Sequence, residues 1–466
     1  MIYFWIVTAY LLFLVLVGFY RSRSVTTQDD FMVAGRKLGA GVLVGTLLAT
    51  WIGSGSIIAS AGLAYRKGLP ALWFDAGVWA AIIILYLIAG RVRLFAMYTI
   101  PDILETRYNK FARILGTVTT IVAYTAIVSY QFKAGGMILE IVAGVPVNIG
   151  IIITAAAVIG YTVISGLISV AYTGVVNGIV MLVAVFVSLP FLLEHAGGWA
   201  QTIASLPKEH FQVLGSMSMT EALGYSLPTM LLLLGESNMY QRFFYAKDAR
   251  TAKRSVIGWL FGTIIIETII VLIAVVGSGI FPNINPEMVI LHSARYGLPV
   301  IIGCLLLAGS VSIVISTGTS FLLVPSINIV RDIYQRFINP DASQKRILLF
   351  SRVTVILLGG FAFMQVRFFK TVLEMALYAY TMYGVGITPA VLAVFFWKRV
   401  TPAGGTASIA SGMIMTLLWE SLGKPFALPT VYPALFVSLF LLITVSLLTK
   451  KSPDEKWKPF FRKEEV

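Results

Sequence analysis

Four ionisable side chains stand inside long apolar runs, where a charge is expensive and is normally tied to function. Asp75 lies in LWFDAGVWA, Lys133 in QFKAGG, Glu236 in LLLLGESN and Glu267 in IIIETII. A hydroxyl cluster, Ser312, Ser316, Thr317, Thr319 and Ser320, lies in SVSIVISTGTSFLL. Carboxylates in an apolar wall accept hydrogen bonds from ammonium groups or hydroxyls. Hydroxyls joined by free backbone carbonyls supply the all-oxygen shell that a hard cation of sodium's size takes. Ser316 and Thr317 are adjacent and cannot share one helix face, so one reaches inward while the other bridges to it or bonds back to its own helix. Other chemistry is disfavoured. His195, His210 and His292 sit in polar connections without i, i+4 pairing, which argues against zinc or haem. The single cysteine, Cys304, can form neither an intrachain disulfide nor a thiolate cage. No Gly-rich loop ending in Lys-Ser or Lys-Thr follows a strand pattern, so no nucleotide site is expected. With no histidine in an apolar run, a Ser-His or His-pair constellation is missing, and the chain is expected not to be an enzyme.

The elements that must position these groups are membrane spans. Of 466 residues, 58% are apolar and only 12% charged, with a mean hydropathy of +0.88. A soluble domain carries about 25% charged residues. Apolar runs of 18 residues or more mean spans, and thirteen are expected. The first, near 3–20, lacks a basic leader and a small-residue cleavage site and reads as a retained helix. With the N-terminus outside, 27 of the 35 basic residues fall on the cytoplasmic side and seven outside, Lys133 remaining in a span. The formal charge of +14 is therefore topological. Its natural partner is anionic lipid at the basic cytoplasmic face, where Trp457, Phe460 and Phe461 suit the membrane interface, and nucleic acid is not expected.

Continuous helix is the rule in hydrocarbon, yet two spans are interrupted. The second, near 38–64, carries Gly53, Ser54, Gly55 and Ser56 at mid-depth. The seventh, near 218–240, has Pro228 early and Gly235, Glu236, Ser237 and Asn238 at its far end. Five spans apart, the two cross in opposite directions. Broken spans at matching places in inverted halves mark the binding site of a secondary transporter; small residues that only let helices approach closely are the plainer alternative.

Taken together, the segments DDFMVAGRKLGAGVLVGTLLATWIGSGS, YTIPDILETRYNKFAR, QFKAGGMILEIVAGVP, SGLISVAYTGVVNGIVML, YQRFFYAKDARTAKRS, SIVISTGTSFLLVPSINIVRDIY and FFWKRVTPAGGTASIASG resemble, in this order, the solute:sodium symporter family. The resemblance implies an all-α, leucine-transporter-like fold of two inverted five-helix repeats. Divided accordingly, 1–37 is an extra helix and loop, 38–193 the first repeat, 194–217 an extracellular connection and 218–397 the second repeat. Residues 398–449 are two accessory helices and 450–466 a basic tail. It also implies a sodium site with carbonyl ligands Ala49, Ile52 and Ile313 and hydroxyl ligands Ser316 and Thr317. One departure stands out: where the family commonly has Thr-Asp-x-x-Gln, this chain has Gly174 and Asn177. The missing carboxylate weakens any transient sodium contact and leaves the main site chemically possible.

Sugar-carrying relatives place a substrate-binding carboxylate where Asp75 stands, and an Asn where Glu236 stands. Two acids facing one cavity suit an amine-bearing or polyhydroxylated solute. Lys133 could neutralise one of them, bind a solute carboxylate, stand in for a cation, or reach outward toward Glu140. Ser56, Asp75, Lys133, Glu236, Asn238 and Tyr380 are the candidate solute contacts, with Tyr378, Thr381 and Tyr383 nearby; Glu267 has no evident partner. The expected activity is sodium-coupled import of a small polar organic solute by alternating access, in the plasma membrane, with no organic cofactor. The rivals are a proton-coupled or uncoupled carrier of the same fold and a transporter-derived membrane sensor.

Overall fold

The computed structural model describes residues 2–22, 39–94 and 99–461; the first basic loop with Arg23, Arg36 and Lys37, and the last residues with Arg462 and Lys463, lie outside them. Among the described residues the chain is helical throughout, without strands. The main helices are α1 Ile2–Ser22, α2 Ala40–Trp51, α3 Ala61–Lys67, α4 Leu72–Leu94, α5 Ile100–Arg107 and α6 Lys110–Ala143. They continue with α7 Val147–His195, α8 Met219–Gly235, α9 Ser237–Tyr245, α10 Ala249–Ile280 and α11 Val300–Asn328. The last are α12 Gln344–Gln365, α13 Val372–Phe396, α14 Pro402–Ser421 and α15 Val431–Leu448. Among the described residues, nine helical segments are long and apolar enough to cross a membrane, and ten if the bent pair α2 and Gly55–Lys67 is one span. Helices α1, α8 and α14 lie where the first, seventh and twelfth spans are expected.

Local chemistry sets the helix ends. The Asn109, Ser218 and Asp248 side chains accept from backbone N–H groups of the first turns of α6, α8 and α10, satisfying donors that a helix start leaves free. Thr371 and Glu374 form a capping box on α13. The Glu287 carboxylate adds two bonds to the same terminus, from the N–H groups of Val372 (3.0 Å) and Leu373 (2.9 Å). Gly144 ends α6 in a left-handed conformation at φ 69°, which costs glycine nothing. Where α6 meets the start of α7, a Cβ on Gly136 would lie 2.7 Å from the Val147 carbonyl, so only glycine allows that approach.

Helix α7 holds two crossing segments, 147–164 and 177–195. The Ser293–Gly297 turn meets both ends: Arg295 donates to the Ile141 carbonyl just before α7, and Gly297 packs on Leu192 near its end. The two segments therefore run in opposite directions. Burial separates an inner from an outer set. The most apolar window is 89% buried in α13, 72% in the segment containing α11 and 67% in α6, against 28% in α12, α15 and 177–195. The outer helices show Leu349, Leu357, Phe436 and Leu448 to the surroundings, as lipid-facing helices do.

On one face, α5 and the Ile329–Ile338 turn after α11 are tied by charge. Arg113 pairs with Asp102 (2.6 Å) and Glu105, while Arg336 reaches Glu105 (3.3 Å) and Arg331 reaches Asp102 (3.5 Å). The tail returns to this face. Lys398 lies over the rings of Trp457 (5.2 Å) and Phe461 (5.4 Å). Phe460, expected at the membrane interface, is instead fully buried, with its ring against Phe395.

Candidate functional site

The break in the second span begins where the α2 ladder runs out. The Ile52 N–H still bonds the Leu48 carbonyl (2.9 Å), and the next bonds are from Ser56 (3.1 Å) and Ile57 (3.2 Å), both to Gly53. The two halves meet at 53°, and a π-helical turn, Gly55–Ser60, leads into α3. The last carbonyls of α2, Ala49 to Ile52, thus have no helical donor four residues on. The seventh span breaks at Glu236, with α8 before it and α9 after.

Three polar or aromatic residues at or beside the first break each engage a different helix. Trp51 Nε1 donates to Glu267 Oε1 on α10 (2.8 Å), and Ser54 Oγ donates to Gln131 Oε1 on α6 (2.7 Å). Ser60 Oγ donates to Asp75 Oδ2 on α4 (2.8 Å). A Cβ on Gly53 would stand 3.4 Å from Thr317 Oγ1 on α11. Membrane-helix hydroxyls usually bond a carbonyl one turn back, and many here do so: Thr50 to Thr46, Thr120 to Gly116, Ser310 to Leu306. The Thr317 hydroxyl does not. Among the described residues it is buried without a hydrogen-bond partner, as is that of Thr319.

Two cavities flank the break. The first is small and is lined by Trp51, Gly53, Gly55, Ser56, Phe74, Tyr130, Glu267, Thr317, Phe321 and Tyr380 among others. Tyr130 and Tyr380 close it through their hydroxyls, 3.1 Å apart. The second is lined chiefly by apolar side chains and brings together Ala49, Ile52 and Ile313 beside Gly178 and Met181. Ser316, also buried, precedes Thr317 on α11. Asn177 accepts from Tyr10 (3.2 Å) and donates to the Ser312 carbonyl (3.5 Å), tying α1 and α7 to α11. The side chains of 165–176 lie outside the described residues, so the position of Gly174 adds nothing here.

The candidate solute contacts divide. Ser56 and Tyr380 line the first cavity. Asp75 is one residue from the lining Phe74, fully buried, with Oδ2 on Ser60 and Oδ1 without a partner. Glu236 and Asn238 do not line it. The Glu236 carboxylate accepts from the Tyr124 hydroxyl (2.5 Å), the Asn238 N–H (3.1 Å) and Nδ2 (2.7 Å), and the Met239 N–H (3.0 Å). It caps α9, and Asn238 is spent on that cap. Lys133 is turned away altogether, its ammonium on the carbonyls of Phe369 and Lys370. Positions 131 and 133 lie about 200° apart around a helix, so Gln131 faces the break while Lys133 faces outward.

The sodium:solute symporter family model matches residues 31–412. The chain belongs to the sodium:solute symporter family. It is 25% identical to the osmoregulated proline transporter OpuE of Bacillus subtilis, over 97% of this chain and 96% of that one. Its identity to the sodium/proline symporter of Staphylococcus aureus is also 25%, over 96% and 92%. Among solved structures, a substrate-bound, outward-open Na+-coupled sialic acid symporter superposes with a TM-score of 0.82 at 17% identity, covering 97% of this chain and 98% of that one. The nucleobase-cation symporter Mhp1 gives 0.65 at 12% identity, covering 93% and 99%. The fold is therefore leucine-transporter-like.

In this symporter fold, the acid at the cavity is one the sequence left without a partner. Glu267 is 1% exposed and lines the first cavity. Its oxygens accept from Trp51 Nε1 and Trp79 Nε1, each at 2.8 Å. Indole donors are not charges, so a search for a basic partner passes over them. Gln131, with Nε2 buried and without a partner, is the second polar side chain at the break that residue type alone did not single out.

Proposed function

We propose that this protein is a sodium-coupled symporter that imports a small polar organic solute by alternating access. Sodium sits between α2 and α11, on the carbonyls of Ala49, Ile52 and Ile313 and the hydroxyls of Ser316 and Thr317. The observation that carries this reading is the Thr317 side chain: packed against Gly53 where the helix breaks, with a hydroxyl that is buried and, among the described residues, without a partner. A bound cation would give that oxygen its missing partner and hold the two halves of the broken span in register. The solute occupies the neighbouring cavity with Ser56 and Tyr380, and repeats 38–193 and 218–397 rock about the pair of sites. The N-terminus is outside and the C-terminus cytoplasmic, in the plasma membrane, with anionic lipid against the basic face. Sodium then enters down the membrane potential, which contributes about 2.3 kcal/mol per charge per 100 mV.

Uptake by protein in liposomes, with sodium replaced by choline at fixed pH, tests the coupling. Ser316→Ala and Thr317→Ala should each shift the sodium dependence to higher concentration, about tenfold for one lost charge-assisted contact. Unchanged sodium dependence in both would reject the site. A proton-coupled carrier is the second reading, favoured by the two buried carboxyls Asp75 and Glu267; uptake driven by a pH gradient without sodium would select it.

A further inference from the structure

We propose that the solute is an organic monocation, its positive nitrogen held by Glu267 against the aromatic wall of the first cavity. This rests on the transport reading above and names the class of solute for that same cavity. Glu267 is 1% exposed, and each of its oxygens accepts one indole N–H at 2.8 Å. Two neutral donors orient the carboxylate without neutralising it, and each oxygen keeps a lone pair for a further donor. A buried carboxylate is relieved either by a cation or by taking up a proton. Asp75 adds a second acid nearby in the chain fold, its Oδ1 buried and without a partner among the described residues.

The wall says which cation. Among the described residues no Lys, Arg or His lines the cavity, and Lys133 is spent on the carbonyls of Phe369 and Lys370. A solute carboxylate would thus face Glu267 with no base beside it. Trp51, Phe74, Tyr130, Phe321 and Tyr380 contribute five aromatic side chains to the lining, the surroundings that favour an ammonium or quaternary nitrogen. Sodium, which takes a shell of oxygens, is better served at α2 and α11. The partnerless Thr317 hydroxyl, 5% exposed, lies on the same cavity and offers the solute's polar end, or the sodium beside it, an oxygen.

The test is thermal stabilisation of the purified full-length protein in sodium by paired probes that differ in one group: choline against glycine betaine, and prolinol against proline. Each cation should bind at least about tenfold more tightly than its zwitterionic partner, and Glu267→Gln should erase that difference. Zwitterions binding as tightly as the cations, or a choline response that Glu267→Gln leaves intact, would overturn the proposal. So would a failure of both cations to bind while uptake of another solute follows a pH gradient, which would make Glu267 a proton carrier. If Glu267→Gln does not fold, the wild-type pairs decide alone. Choline binding without any sodium effect would remove sodium coupling and leave this proposal standing. Sodium-dependent binding of proline but not prolinol would do the reverse.

Discussion

The closest approach across the cavity gives a sharp test of the break's geometry. A methyl placed on Gly55 would stand 2.5 Å from the Tyr380 hydroxyl, short of the ordinary contact range that begins at 3.4 Å by about 0.9 Å. Tyr380 cannot yield freely: it is 5% exposed, its hydroxyl is bonded to Tyr130 at 3.1 Å, and its ring leans on Phe74 with centroids 6.2 Å apart. Overpacking of this kind costs about 1–3 kcal/mol, so Gly55→Ala should lower the apparent melting temperature. Removing the hydroxyl removes the clash, because the next atoms, Tyr380 Cζ and the Tyr130 hydroxyl, are both at 3.8 Å. In a Tyr380→Phe background, Gly55→Ala should therefore cost little, and a double-mutant cycle should return about 1–3 kcal/mol of coupling. The assay is fluorescence-detected thermal unfolding of the four proteins in one detergent. If Gly55→Ala is equally harmful with and without the Tyr380 hydroxyl, the break does not sit against Tyr380 and the cavity described here is wrong.

Two further outcomes follow from groups away from the cavity. Glu236→Ala strips the cap from α9 and leaves the Tyr124 hydroxyl and the Asn238 and Met239 N–H groups buried without it, a loss of about 3 kcal/mol. Denaturant titration reads it, and a loss within error of zero would contradict the capping geometry. Burial raises the Glu105 carboxyl, but Arg113 and Arg336 outweigh it and hold the group below its ordinary value. A depressed folded pKa gives stability that is present above the unfolded value of about 4.3 and lost as pH falls through the folded one. The melting-temperature gap between wild type and Glu105→Gln should accordingly narrow as pH drops from about 6 to 3; a gap that widens would reverse the sign of the argument.

Much of this was legible in the residues, and what was not has a common cause. Both interruptions fall where glycine and polar residues cluster in otherwise apolar runs, at Gly53 to Ser56 and at Gly235 to Asn238, since the backbone leaves the helical ladder only where something else can satisfy it. Order along the chain carried the fold, because spans, breaks and basic loops are one-dimensional signals. Direction around a helix is not. Gln131 and Lys133 are two residues apart yet face opposite ways, and Glu267 found its partners in two indoles from α2 and α4. Glu236, in the same kind of polar break, turned out to complete a helix terminus. Charge in a span signals importance; whether it serves a ligand or a backbone depends on where the neighbouring helix ends lie.

The four ties of the first break bear on how ligand binding would reach the whole protein. Trp51, Gly53, Ser54 and Ser60 meet α10, α11, α6 and α4 respectively, helices drawn from both proposed repeats. A ligand changes a conformational equilibrium only as far as it prefers one state. A cation between the α2 carbonyls and Thr317 prefers the state in which α2 and α11 approach, and a solute on Glu267 prefers the one in which Trp51 and Trp79 hold the carboxylate toward the cavity. Trp51 lies between Thr50 and Ile52, so the residue that orients the acid proposed to hold the solute is part of the backbone proposed to bind the ion. Either ligand alone must order the Ala49–Ser56 segment against the entropy of an unravelled helix; the second finds it already ordered. Coupling between ion and solute then follows from one short stretch of chain being shared, with no longer path required.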